Sequence, residues 1–473
     1  MENSKLIQLL KSLSLEEFRR FGQFVSSPFF NRLKNVIKFY EVLKKYYPEF
    51  SNRNLIAEKV FIKIFPEETF KYAKMKNLES DLLKLCEEYL SFIGFRENRY
   101  ETDKFLLTEL RKRKLIKLFE SNYKRANKNL ENSKYKDENF YFIKFILENQ
   151  NILNITNNKL YYDQEALQRQ LDYFIDFFLL QVLRLYSFMV HQKKYLYDFD
   201  FSLTFLDEVV NYISKNANGI KPLILLQFND MMLSLKGEEI YYKNLKDMTD
   251  KYSDIIDPTE LYNIYASLSR FLQLKYDENS NKYIDEIFEL YKTILKKGIF
   301  KSYFHMSNIF FIKTADFALR KKDYKFLEDF INEYKDRLPP EHTSNTLNYC
   351  SALRYFYEKN YNQALEKLST VDTQDYSYKL IIKSLSLRIF YELNSIDSIE
   401  SLVDTFRHFI LNNKLVPDIV KNDYLNFVNY FNRLHKIRND IESEDIGFFK
   451  KEIAGRQDIA LKYWLLEKIE ELQ

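Results

Sequence analysis

The chain has 473 residues, 46% of them hydrophobic and 30% charged, with 72 basic side chains against 68 acidic ones. That hydrophobic content excludes a disordered chain, and the near balance of charge excludes a global attraction to nucleic acid or anionic lipid, so any electrostatic argument is local. Two cysteines far apart in sequence, Cys86 and Cys350, exclude a disulfide scaffold and predict buried, reduced thiols.

Glycine and proline together number 7 + 8 = 15, far below the roughly 12% of average usage. A strand-rich protein needs them in its turns, so the prediction is long helices with few tight turns. With 42 Phe and 37 Tyr, bulky rings must fill the helix contacts. The N-terminus mixes Glu2, Lys5 and Gln8 among its apolar residues, unlike a signal peptide. Uninterrupted apolar runs such as 177–180 and 309–312 are much shorter than the ~20 residues of a membrane helix. The expectation is a cytoplasmic protein with no membrane partner.

Helical periodicity runs almost end to end. Ser14-Leu15-Glu16-Glu17 has the form of a capping box, followed by an apolar stripe of Phe18, Phe21, Phe24 and Val25. Ser27-Pro28 reads as a cap or a turn. Helices are predicted over 33–47 and 55–65, each stopping before a proline, and over 72–92, closed by Gly94. Residues 1–98 thus form an N-terminal helical domain. A long charged helix over 100–123 and an Asn- and Lys-rich connector make a second segment, 99–159. From 160 to 473 the chain settles into helix pairs starting near Leu160, Pro222, Pro258, Tyr303, Thr343, Tyr376 and Pro417, the signature of stacked hairpins. Asp257-Pro258-Thr259-Glu260 reads as a second capping box, and the terminal helix, with Trp464, as a cap over the last hairpin.

Within this array, 358–368 (EKNYNQALEKL) aligns with 392–402 (ELNSIDSIESL) at an offset of 34, and Tyr324 precedes Tyr361 by 37. A weaker copy starts at Tyr283. These segments resemble a degenerate tetratricopeptide repeat, whose period is about 34 residues. Tyr324 and Tyr361 match its turn aromatic, and Ala364 and Ser398 the small residue of its second helix. Ala315, Ala352 and Ser386 match the small residue of its first helix, Tyr355 the aromatic one turn later, and Pro339 the terminal proline. The tryptophan position is absent, and Leu327 stands where a small residue is expected. The resemblance implies an all-α fold in which an N-terminal bundle precedes an α-solenoid of hairpins with a concave face. It names no ligand. Residues 57–66 and 76–85 resemble, less closely, the two helices of the winged-helix modules that precede such arrays in some bacterial transcription regulators. Glu79, Asp81, Glu87 and Glu88 on the second helix would repel phosphate. The stretches 27–31 and 464–469 are similar to those of long helical bacterial proteins, a similarity that implies no activity.

The sharpest local feature is basic. Residues 96–136 hold 13 basic and 6 acidic side chains. They include Arg111, Lys112, Arg113, Lys114, Lys117, Lys124, Arg125 and Lys128, and helical spacing would put Arg111, Lys114, Arg125 and Lys128 near one face. Clustered Lys and Arg suit phosphate or an acidic partner, and equally suit a solvated helix face. Aromatic-rich stretches at 161–162, 173–178 and 195–205 read as packing rather than as a stacking groove. The five histidines and two cysteines have no metal-ligand spacing, and there is no phosphate-binding loop or nucleophile elbow. No cofactor, metal or catalytic residue is expected, and the chain is not read as an enzyme. The reading is an adaptor or scaffold that binds a protein or peptide partner in a repeat groove. The alternative is a regulator contacting nucleic acid through the N-terminal domain and the basic segment.

Overall fold

The computed structural model describes residues 2–473 except 52–54, 159–162, 196–200, 279, 302–304, 373–374 and 442–444. The expected helix starts at Leu160 and Tyr303, the pair Tyr161-Tyr162 and residues 196–200 of the aromatic stretch 195–205 therefore lie outside the described residues. Among the described residues there are 23 α-helices and no strand, so the fold is all-α. Against the three expected segments, these residues group as two compact units, 1–132 with 146–167, and 133–145 with 168–473.

The first unit contains α1 (Lys5–Ser12), α2 (Leu15–Ser26), α3 (Lys34–Lys44), α4 (Ala57–Ile64), α5 (Tyr72–Glu97), α6 (Arg99–Lys112) and α7 (Ile116–Glu131). The capping box at Ser14 forms in both directions, Ser14 Oγ accepting from the Glu17 amide and Glu17 from the Ser14 amide. Helices α1 to α4 and α6 all pack on α5, burying Phe21, Phe39, Phe61, Leu82 and Cys86 in one core. Gly22 lets Tyr40 close onto α2: a Cβ there would meet the Tyr40 hydroxyl at 2.6 Å, and that hydroxyl donates to the Phe18 carbonyl at 2.9 Å.

Two expectations are corrected in this unit. Gly94 does not close α5, which continues to Glu97; Asn98 instead caps α6, accepting from the Glu101 amide. The long charged helix is two helices. Lys114 takes a left-handed φ of 56° between them, and α7 then extends to Glu131 through most of the expected connector.

Helices α8 (Glu138–Asn158) and α9 (Gln164–Tyr195) follow. Over 164–193, α9 is long and apolar enough to cross a membrane by length and composition alone. Arg169, Asp172, Asp176 and Arg184 interrupt it, which is why no uninterrupted apolar run is visible in its sequence.

The second unit continues with α10 (Leu206–Lys215), α11 (Pro222–Lys236), α12 (Glu239–Tyr252), α13 (Pro258–Glu278), α14 (Ser280–Lys296), α15 (Asn308–Arg320) and α16 (Tyr324–Tyr334). After these come α17 (Pro340–Tyr357), α18 (Tyr361–Ser369), α19 (Tyr376–Glu392), α20 (Ile396–Asn412), α21 (Asp418–Arg438), α22 (Ile446–Gly455) and α23 (Lys462–Glu470). Helices pack in consecutive pairs, α11 on α12, α13 on α14, α15 on α16, α17 on α18 and α19 on α20. Each pair exposes apolar residues that only its neighbours can cover. The result is one continuous core from Leu226 to Ile469.

One turn recurs between paired helices. Lys322, Lys359, Asn394 and Asp440 all have φ between 51° and 62°. In each case the following amide bonds back five residues: Asp323 to the Ala318 carbonyl, Asn360 to Tyr355, Ser395 to Phe390, and Ile441 to Lys436. This is the Schellman closure, which satisfies the last carbonyls of the first helix. Lys114 and Leu115 build the same turn in the first unit.

These turns fix the repeat register. From Lys322 to Lys359 the offset is 359 − 322 = 37, as the tyrosines predict, but from Lys359 to Asn394 it is 394 − 359 = 35 rather than 34. Ala315, Ala352 and Ala364 are fully buried at the expected close approaches. Leu387 and Ile399, both fully buried, take the corresponding places in the next pair, while Ser386 and Ser398 sit one residue away and half-buried. Tyr324 and Tyr361 begin the second helices of their pairs, Ile396 begins the next, and Tyr355 is half-buried.

A left-handed conformation costs a non-glycine residue roughly 1 kcal/mol. Lys359→Gly should therefore raise unfolding stability by about that amount, measured by urea denaturation, whereas Lys367→Gly inside α18 should lower it by a similar amount.

Candidate functional site

The eight basic residues of the first unit do not form one helical face. Lys112 and Arg113 both bind Glu109, whose carboxyl is pulled down to about 2 by those hydrogen bonds. Arg125 binds the buried Asp103 at 3.1 Å. Arg111 is half-buried, with an Nε that finds no partner. Lys114 lies in the turn. Among the described residues Lys114, Lys117, Lys124 and Lys128 are exposed, with no carboxylate at ion-pair distance.

The second unit carries a more specific arrangement around α23. Tyr463 lies 5.3 Å, ring to ring, from Tyr276 of α13. Arg320 of α15 donates to its hydroxyl and holds its guanidinium 3.9 Å from the Tyr463 ring centroid. Trp464 stacks on Phe431 of α21 at 5.7 Å and meets Tyr391 of α19 edge-on at 5.3 Å. Lys468 reaches Glu392, at the end of α19, at 2.7 Å. Lys462 turns back to donate to the carbonyls of Ala454 and Arg456, closing the end of α22. The terminal helix therefore packs on its own hairpin and also lies across the first helices of four pairs, in a trough running from α13 to α21. Trp464 is 2% exposed, as its packing role predicts.

A second polar centre lies between α9, α11, α13 and α15, around a cavity of about 850 Å³. Asp230 is buried there; Ser187 donates to one of its oxygens, and the other has no partner. Burial raises its pKa. Glu260 accepts from Gln227, and burial pushes its carboxyl up to about 7. This corrects the second capping box. Asp257 does accept from the Thr259 amide at 2.8 Å, but Glu260 turns inward to Gln227 instead of back to the cap. Burial, aided by Arg270, brings His191 down to about 4, and Arg270 donates to its ring at 2.7 Å. The arrangement sets two carboxyls whose pKa values burial raises beside an imidazole whose pKa burial lowers. No group of three or more His, Cys, Asp or Glu gathers at metal-binding distance among the described residues.

Neither centre stands out in the sequence, because Asp230 and Arg388 are single charges among mostly apolar neighbours and Arg320 is hidden at the start of the charged run Arg320-Lys321-Lys322-Asp323. That isolation is itself the available signal: a lone charge on a core-facing position needs a buried partner or a ligand. Comparison with protein-family models, with curated proteins and with solved structures finds no match.

Glu260 has a folded pKa above its unfolded value. Its contribution to stability is complete below about pH 4.5 and is lost as pH rises through about 7. His191 acts in the opposite sense, its contribution lost as pH falls from 6.5 towards 4. Glu260→Gln keeps the acceptor for Gln227 and removes the proton. The thermal midpoint by circular dichroism should drop less between pH 5 and pH 8 in this variant than in the wild type; equal drops would mean that Glu260 is not titrating in this range.

Proposed function

We propose that this chain is a protein-binding adaptor that holds a segment of another protein in the trough of its second unit. We read that unit as a tetratricopeptide-like α-solenoid. The Schellman turns at 322, 359 and 394, spaced 37 and 35 residues apart, support that reading, as does the buried trio Ala315, Ala352 and Ala364. The observation that carries the functional proposal is α23. The chain lays a helix of its own, largely buried, across four first helices, and a trough that accepts one such helix has the shape and side chains to grip another. A cytoplasmic location accords with this role.

Nucleic-acid contact through the first unit is the second reading. Lys114, Lys117, Lys124 and Lys128 favour it, while the pairing of Lys112, Arg113 and Arg125 with carboxylates reduces the charge on offer.

The tagged full chain, recovered from its native lysate with and without nuclease, separates the two. Adaptor function predicts a stoichiometric protein partner that survives nuclease, is weakened by Lys322→Glu with Lys359→Glu, and is indifferent to Lys117→Glu with Lys124→Glu. Loss with nuclease and sensitivity to the second pair would establish the other reading, and an empty recovery would count against both.

A further inference from the structure

A cavity of about 990 Å³ opens beside α23, walled by α13, α15, α17 and α19. Six basic and four acidic side chains line it. The acids are mostly committed: Glu392 and Glu471 to Lys468, and Glu470 to Lys450, leaving Glu467 exposed at one rim. Behind the wall, Asp316 is held by Arg320 at 2.7 Å and by the Tyr357 hydroxyl at 2.8 Å.

Arg388 is different. It is 4% exposed, yet among the described residues no carboxylate lies at ion-pair distance from it and its Nε has no hydrogen-bond partner. Aromatic faces lie closest, with Phe356 and Trp464 ring centroids at 4.5 and 5.8 Å, and the charge of Asp316, itself held by Arg320, acts on it only from beyond ion-pair distance. Two further buried donors beside it, Arg320 Nε and Trp464 Nε1, also lack partners. At the rim, Lys322 and Lys359 are exposed, with no carboxylate at ion-pair distance among the described residues. A guanidinium stays charged when buried and costs several kcal/mol unless a counter-charge meets it. Aromatic faces recover only part of that.

We infer that this cavity is a binding site for an oxyanion, a phosphate or carboxylate group on a ligand, with Arg388 as its buried counter-charge and Lys322 and Lys359 at its entrance. The planar fork of Arg388 suits two oxygens of one such group, and the flanking rings leave room for an organic body larger than the anion itself. The inference goes beyond the adaptor reading and rests on the cavity alone, so either can fail without the other.

The test uses the full chain with three probes, inorganic phosphate, phenyl phosphate and benzoate, followed by thermal shift and titration calorimetry. Arg388→Met keeps the bulk and removes the charge. The expected result has two parts. Without probe, Arg388→Met melts higher than the wild type, because an unpaired buried charge is gone. With probe, the wild type is stabilised and binds, and Arg388→Met loses roughly tenfold or more in affinity. Lys359→Gln folds irrespective of the core and should weaken binding by a smaller factor. Stronger binding of phenyl phosphate than of benzoate would identify a phosphate ligand, and the reverse a carboxylate. No binding of any probe to folded wild type, or equal binding by Arg388→Met, would overturn the inference.

Discussion

A pair of helices can bury only one side of itself, and the second unit is organised by that constraint. Every pair from α11 to α22 leaves apolar residues that its neighbour must cover, so the core runs unbroken from Leu226 to Ile469. With so few small residues, the gaps between helices are filled by rings: Tyr291 on Phe310, Phe311 on Phe330, Tyr391 against Trp464. Close backbone approach is confined to a few alanines, and where an alanine is missing, Leu327, Leu387 or Ile399 occupies the place.

The first helices of these pairs are left with one further face, and α23 covers it. Its contacts are not purely apolar. Tyr463, Trp464 and Lys468 engage Arg320, Arg388 and Glu392 as well as rings. Burying arginine among aromatics sacrifices hydration that hydrophobic side chains would not have to give up. At the polar centre of Asp230 and Glu260 the chemistry is the opposite, since burial raises the pKa of both carboxyls.

The two units differ in how they manage charge. Along α6 and α7 most basic residues sit at the surface, and three of them, Lys112, Arg113 and Arg125, are met by Glu109 three or four residues away or by Asp103. Such pairs contribute little to stability. In the second unit Arg388 and Lys468 are buried, the Arg320 side chain is nearly so, and the three come together from α19, α23 and α15.

Local sequence determined the helices. The capping box at Ser14, the prolines at 222, 258 and 417, and the apolar spacing of Phe18, Phe21 and Phe24 act within a few residues of themselves, so their consequences could be read directly. The buried alanines at 315, 352 and 364 were legible for the same reason. Other features depended on neighbours the sequence does not place side by side. The left-handed turn at Lys114, on a residue type that rarely adopts it, split one expected helix into two and dispersed the basic face. The turn at Asn394 moved a repeat by one residue and replaced Ser386 and Ser398 with Leu387 and Ile399. Glu260 left its cap for Gln227, 33 residues away. Whether a charge such as Arg388 faces water or a cavity is decided by which helices pack around it. Hydrogen bonds and hydrophobic periodicity along one helix carry local information, whereas burial is a property of the assembled array, and tertiary structure alone settled it.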